Sequence, residues 1–382
     1  MKEMVLRNGL VVTEGEVVAG SVVVRDGVIA GIDAGATSVR GALDLEGDYL
    51  IPGLIDVHTD SLERQFTPRP GVYWPSPLSA AVANDAMMHG CGITTVLDSI
   101  CAEAFPEEET RRRMFNDAVR AVTDGEAARL FRSRHLLHLR CETADPKTPA
   151  ILGEHLENPL VRLVSLMDHT PGQRQYKDEN KFRQYYSDMA WTDSEFAQVV
   201  ERLKDEQARY AEPQRAAIIG RATEHGIPLA SHDDATPEHV AEARAASISI
   251  SEFPTTLEAA FAARKAGMAV VMGAPNIVLG GSHSGNVSAL EVLDAGQLTV
   301  LASDYVPASL LLAPFLVSRL LSRPLPDCMA LVSANPAAML GLDDRGVIAP
   351  GRLADLVRVR MADEQPVPVA VWTGGAVDAP AA

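Results

Sequence analysis

Residues 4–50 alternate β-branched and polar positions in short bursts divided by Gly and Asp, as in VVTEGEVVAGSVVVRDGVIAGIDAG. A two-residue period broken in this way predicts small antiparallel strands joined by tight turns. The same pattern returns after Arg345, in GVIAPGRLADLVRVR and PVPVAVWTGGAV. Both chain ends are therefore expected to meet in one small β-sandwich domain, residues 1–50 plus 345–382.

Between them the pattern changes to short apolar runs separated by longer helical stretches, as strands covered on both faces by helices require. The candidate strands are LIPGLIDV, ITTVLDS, HLLHLRCE, VRLVSLMD, IPLASH, ISISEF, MAVVMGAP and LTVLASD. Eight strands alternating with helices predict an α/β chain whose residues 51–344 form a (β/α)8, TIM-like barrel. The longest insertion lies between the fourth and fifth strands. It is a polar segment followed by a helix from about Thr192 to His225, placed to cover the barrel mouth.

Composition narrows the partners. The 382 residues carry 34 Lys+Arg against 51 Asp+Glu, a formal charge of −17, which repels nucleic acid and anionic membrane surfaces over long range. A small anion is not excluded, because a pocket needs only a few converging donors. Cys91, Cys101, Cys141 and Cys328 lack the spacing of a disulfide framework or a Cys-rich zinc site and read as reduced core thiols. No apolar run is long enough to span a bilayer, and the N-terminus lacks a signal-peptide pattern. A cytoplasmic protein is expected, its oligomeric state open, a homo-oligomer included.

In a (β/α)8 barrel the functional groups sit where the strands end. The first candidate strand runs into His58-Thr59-Asp60, and alternation places His58 and Asp60 on one face, as two ligands of one metal would be. The third ends in Glu142, the fourth runs into Asp168-His169, the fifth into Ser231-His232-Asp233-Asp234 and the eighth into Ser303-Asp304. Each alone reads as well as a surface or capping residue; the coincidence of five strand ends carries the signal. His89, His135, His155, His225 and His239 fall away from strand ends and read as structural. His138 and Arg140 share strand parity with Glu142 and point toward the barrel interior, His138 as a hydrogen-bonded core residue.

IPGLIDVHTD is similar to the first-strand motif of the amidohydrolase superfamily, normally HxH, and NPAAMLGLDDRGVIAPGRLADLVRV to its closing segment. Within it, HTDSLERQFTPRPGVYWP, DHTPGQRQY, SEFPTTLEAA, GGSHSGNVSALE and SDYVPASLL, in that order along nearly the whole chain, resemble the alpha-D-ribose 1-methylphosphonate 5-triphosphate diphosphatases of phosphonate breakdown. The resemblance implies two divalent metal ions, zinc foremost, with manganese or magnesium also suited to the oxygen ligands. One ion would be held by His58, Asp60 and Asp304, the other by His169 and His232, with Glu142 bridging. Asp60 stands where relatives usually have a second His, and Glu142 where many have a carboxylated lysine.

The implied reaction splits a ribosyl triphosphate between its α and β phosphorus atoms. A metal-activated hydroxide would attack the α-phosphorus, Asp304 would orient it and take its proton, and pyrophosphate would leave. Cations for the triphosphate are sought on the loops: Arg64 and Arg69 after the first strand, Arg174 and Lys177 after the fourth. The stretch Gly280 to Asn286, with Ser282, His283, Ser284 and Asn286, could wrap donors around phosphate as an anion-binding nest. For the cations solvated surface charge is the alternative, and for the Gly-rich stretch a plain turn. Tyr73 and Trp74 could stack on the sugar, core packing being the alternative. The resemblance also implies a pathway link to the carbon-phosphorus lyase system. Another amidohydrolase activity, cyclic amide hydrolysis or deamination, is the competing reading, since fold and metals do not fix substrate.

Overall fold

The computed structural model describes residues 3–153, 155–282 and 284–374. The N-terminal segment forms β1 (Glu3–Val12), β2 (Val17–Arg25), β3 (Val28–Ala34), β4 (Leu43–Asp44) and β5 (Tyr49–Pro52). Eight strands follow: β6 (Leu54–Thr59), β7 (Ile93–Ala102), β8 (Arg134–Glu142), β9 (Val161–Met167), β10 (Leu229–His232), β11 (Ile250–Glu252), β12 (Ala269–Gly273) and β13 (Val300–Ala302). The chain then returns through β14 (Leu356–Ala362) and β15 (Gln365–Trp372) to the first sheet, whose order is β15-β14-β5-β1-β2-β3 with β4 on β1. Leu6, Val22, Val24, Leu50, Leu356 and Trp372 are among the residues that fill its core.

All eight candidate strands of the central region are present, paired in parallel in sequence order from β6 to β13. Every residue of β7 is buried, as a strand covered on both faces must be. The ring closes at the mouth. Asp304 N–H donates to the His58 carbonyl at 2.9 Å and Asp60 N–H to the Asp304 carbonyl at 2.8 Å, so the closing bonds themselves bring the ends of the first and last barrel strands together.

One apolar run divides between the two sheets. In LIPGLIDV, Leu50 serves the small core while Ile51 and Leu54 serve the barrel. Gly53 is the break: its N–H reaches the Asp355 carbonyl, and a side chain there would collide with that of Thr94.

The insertion after β9 ends in a helix from Asp193 to Glu224, started by a capping box in which Thr192 and Glu195 satisfy each other's backbone N–H groups. An aromatic cluster fastens the insertion beside the mouth. Phe182 stacks on Trp191 at 6.3 Å and packs near Phe105, from the segment after β7. At the opposite end of the barrel, His135 lies with Nδ1 2.7 Å from Asp98 and Nε2 3.3 Å from Asp85. Asp85, on the helix Pro77–Gly90, also accepts the N–H groups of Arg132 and Ser133, tying that helix to the start of β8. Among the described residues no helix is long and apolar enough to cross a membrane.

Candidate active site

The residue that organises the mouth is Glu252, fully buried at the end of β11. Its Oε1 lies 2.7 Å from His58 Nδ1, and its Oε2 lies 2.8 Å from both His232 Nδ1 and Ser165 Oγ. A carboxylate only accepts, so each imidazole donates its Nδ1–H to Glu252 and turns Nε2 outward. His138 continues the network: Nε2 is 2.5 Å from Ser165 Oγ and Nδ1 3.1 Å from Ser99 Oγ. Burial pushes His138 down to about 3. It is a neutral, hydrogen-bonded core residue.

Two groups of ligand-type atoms lie above this layer. His58, Asp60 and Asp304 form one, and His169, His232 and Asp233 the other, with one ligand atom of each residue within 4.8 Å of the others in its group. The His232 ring stands 5.9 Å from that of His58 and 5.6 Å from that of His169, so the groups are neighbours. His58 Nε2 is 3.5 Å from Asp60 Oδ1, and Asp233 Oδ2 is 3.6 Å from the Nε2 atoms of both His169 and His232. His58 Nε2, His169 Nε2 and Asp233 Oδ2 are buried without a hydrogen-bond partner. Orphaned atoms of this kind call for a ligand.

The electrostatics agree. Burial alone would lower both His58 and His169, yet Glu252 outweighs it for His58, and Asp233 and Glu142 outweigh it for His169, raising each to about 10. The field at the mouth favours positive charge, which a divalent cation would supply. Imidazole nitrogen with carboxylate oxygen is a donor set such ions accept. Asp304 is pushed up, first by burial and then by the Asp60 carboxylate. Burial acts upward on Asp60 too, but Arg140 and His58 overcome it and hold Asp60 down.

Backbone strain marks the same places. Asp233 and Phe253, each the first residue past a barrel strand, and Asp304, the second past β13, have φ of 56°, 54° and 55°. Each keeps the ladder going with its N–H, to the carbonyls of Glu252, Val271 and His58, while the left-handed turn redirects the chain. Such conformations persist where surrounding structure enforces them.

No family model matches the chain. The alpha-D-ribose 1-methylphosphonate 5-triphosphate diphosphatase of Escherichia coli (strain K12) is 44% identical over 375 residues, 97% of this chain and 99% of the relative. The chain belongs to this diphosphatase family. Among solved structures, N-acetyl-D-glucosamine-6-phosphate deacetylase from Mycobacterium smegmatis shares the fold with a TM-score of 0.63 at 17% identity, over 97% of this chain and 99% of that one. A structure described as an amidohydrolase gives 0.58 at 18% identity over 98% of each chain. The chain shares its fold with these solved structures over nearly its full length.

Above the two groups of this diphosphatase family member opens a cleft of about 540 Å³, whose wall includes Arg64, Arg140, Tyr185, Ser282, Ser284 and Asn286. Three of the cations sought on the loops lie elsewhere. Arg174 is turned inward, donating to the His232 carbonyl and to Asp234 Oδ1, both at 2.8 Å, so it braces the turn after β10. Lys177 and Arg69 are exposed and outside the cleft wall. Tyr73 donates to Asp117 and Trp74 to Ser79, and neither lines the cleft. His283 lies outside the described residues.

Glu142 also differs from the sequence reading, which sets it between two ions. Its Oε2 is 3.0 Å from His169 Nδ1, on the nitrogen opposite the one facing Asp233, so in this structure it orients a ring instead of joining the groups. The carboxylate that faces both imidazoles is Asp233. Sequence reasoning noted Asp233 only as a neighbour of His232 and passed over Glu252, which its place at the end of the sixth candidate strand could have revealed.

Proposed function

We propose that the chain hydrolyses alpha-D-ribose 1-methylphosphonate 5-triphosphate to 5-phospho-alpha-D-ribose 1-methylphosphonate and pyrophosphate. The observation that carries this reading is the pair of imidazole–carboxylate groups, five of whose six residues line the Arg64-bearing cleft, in a chain 44% identical to a diphosphatase over 97% of its length. Two divalent ions, zinc foremost with manganese or magnesium as substitutes, would be held by His58, Asp60 and Asp304 and by His169, His232 and Asp233. Such ions supply Lewis-acid charge and lower the pKa of a water.

The chain's own residues do the rest. Asp304, held at the closing seam of the barrel, orients the attacking water and takes its proton. Glu252 fixes the two rings so that their Nε2 atoms stay presented. Arg64 at the rim and the donors of Ser282, Ser284 and Asn286 receive the leaving phosphates. The ribosyl monophosphate product keeps its carbon–phosphorus bond and would pass to the carbon-phosphorus lyase system, both reactions running in the cytoplasm.

The test is to incubate the metal-loaded protein with the ribosyl alkylphosphonate triphosphate and follow products by phosphorus NMR. Pyrophosphate in step with the ribosyl monophosphate is expected; orthophosphate as the first product refutes the reading. Asp304→Asn should lower kcat by about 1,000-fold or more with the melting transition of the metal-free protein unchanged. A near-wild-type rate would remove Asp304 from the chemistry.

A further inference from the structure

The least satisfied charge in the mouth is Arg140, on the inward face of β8. Its side chain is 9% exposed as a residue and lines the cleft beside His58, Asp60, Asp233 and Asp304. Nη1 donates to Asp60 Oδ1 at 2.6 Å, while Nε is buried with no partner. A guanidinium has five N–H donors, and among the described residues Asp60 alone receives one from this side chain. Arg111, also drawn inward and with its Nε likewise unpartnered, is nonetheless held by two carboxylates, Glu63 and Glu103, and Arg174 by a carbonyl and a carboxylate. Burying a cation with one carboxylate and idle donors is costly, and the cost is recovered when an anion enters beside it. Arg64, the other arginine of the wall, is exposed at the rim, with its guanidinium near the Tyr305 carbonyl.

We propose that Arg140 is a catalytic residue whose guanidinium contacts a non-bridging oxygen of the α-phosphoryl group and stabilises its charge in the transition state. This rests on the diphosphatase reading above. In the step, a water oxygen forms a bond to the α-phosphorus and its proton passes to Asp304. The α-phosphorus bond to the α,β-bridging oxygen breaks, and pyrophosphate leaves with the electron pair. Negative charge gathers on the equatorial oxygens, and a cation fixed in a water-poor wall stabilises it without reorganising. Asp60 accepts from Arg140 and would also hold a metal, so it would set the guanidinium beside the place where the α-phosphoryl group meets the metal-binding group. Arg64 is left with the leaving pyrophosphate.

The variants Arg140→Gln and Arg140→Lys, loaded with metal, test this on the full chain. Glutamine should lower kcat 100- to 1,000-fold, the loss typical of one removed transition-state donor, with KM shifted less than kcat. Metal content by elemental analysis should stay at the wild-type level. Lysine keeps the charge and loses the fork, so it should recover only part of the rate. A kcat within threefold of wild type in both variants overturns the assignment. So does metal loss in proportion to the rate loss with full rescue by excess metal, since Arg140 would then only position Asp60. Calorimetric titration with inorganic imidotriphosphate, whose bridges resist hydrolysis, gives a second readout: at least tenfold weaker binding to the glutamine variant is expected, and equal binding overturns the proposal. If wild type fails to cleave the ribosyl triphosphate, the diphosphatase reading falls, and this titration still decides whether Arg140 contacts a phosphate chain.

Discussion

At the scale of single residues, Glu252 has the widest reach. One buried carboxylate sets the tautomer of His58 and His232 at once, and these rings belong to different groups. Glu252→Gln leaves a buried amide that can accept from one ring only through its carbonyl. Metal affinity should fall about 10- to 100-fold at both groups together, read as a shared shift in competitive chelator titrations; loss confined to one group would contradict the shared role. The residues proposed as ligands could be picked out from the sequence because barrel topology tells where to look: His58, Asp60, His169, His232 and Asp304 all stand at strand ends. Glu252 stands at one too, but ISISEF gave no neighbouring His to mark it. Arg140 had the right parity and no sequence feature to distinguish a mouth cation from a packed one. Arg174 sits in a cationic loop, yet buried Asp234 claims it, a three-dimensional pairing that spacing does not reveal.

At the scale of elements, the periods in the chain settled the architecture, and the errors sit at joints. The alternation of the ends and the apolar runs of the middle translate directly into two sheets, because side-chain period follows the backbone. LIPGLIDV read as one strand because both halves are apolar, and hydropathy does not say which core each half enters. The long helix of the insertion starts at a capping box, so Thr192→Ala should destabilise it by about 1 kcal/mol, read as faster amide exchange in its first turns with the barrel unaffected. The His135 latch carries a pH signature. Burial would lower His135, but Asp98 and Asp85 outweigh it and raise it to about 9, above the ordinary 6.5. The charged ring therefore stabilises the fold fully below about pH 6.5, and its contribution, of the order of 3 kcal/mol, fades as pH rises through about 9. Denaturant midpoints should drop across that window, and His135→Gln should flatten the curve. A drop of equal size in the variant would assign it to other groups.

At the scale of the whole molecule, the small domain and the barrel are continuous through Gly53, and the site depends on the ring being closed at His58, Asp60 and Asp304. Ion binding should therefore report on the whole fold: removing metal with a chelator should lower the melting temperature by a few degrees, and adding it back should restore it, as ligand binding to the native state requires. The formal charge of −17 surrounds a cleft that must admit a polyanion, so the attraction is local, from the metal groups, Arg64 and Arg140. The proposed reaction turns on one bond, the anhydride between the α and β phosphorus atoms, broken by water at the α side. Turnover in ¹⁸O-water locates that attack. Attack at the α-phosphorus puts the label in the ribosyl 5-phosphate and none in pyrophosphate; labelled pyrophosphate, or labelled orthophosphate, would rule that attack out.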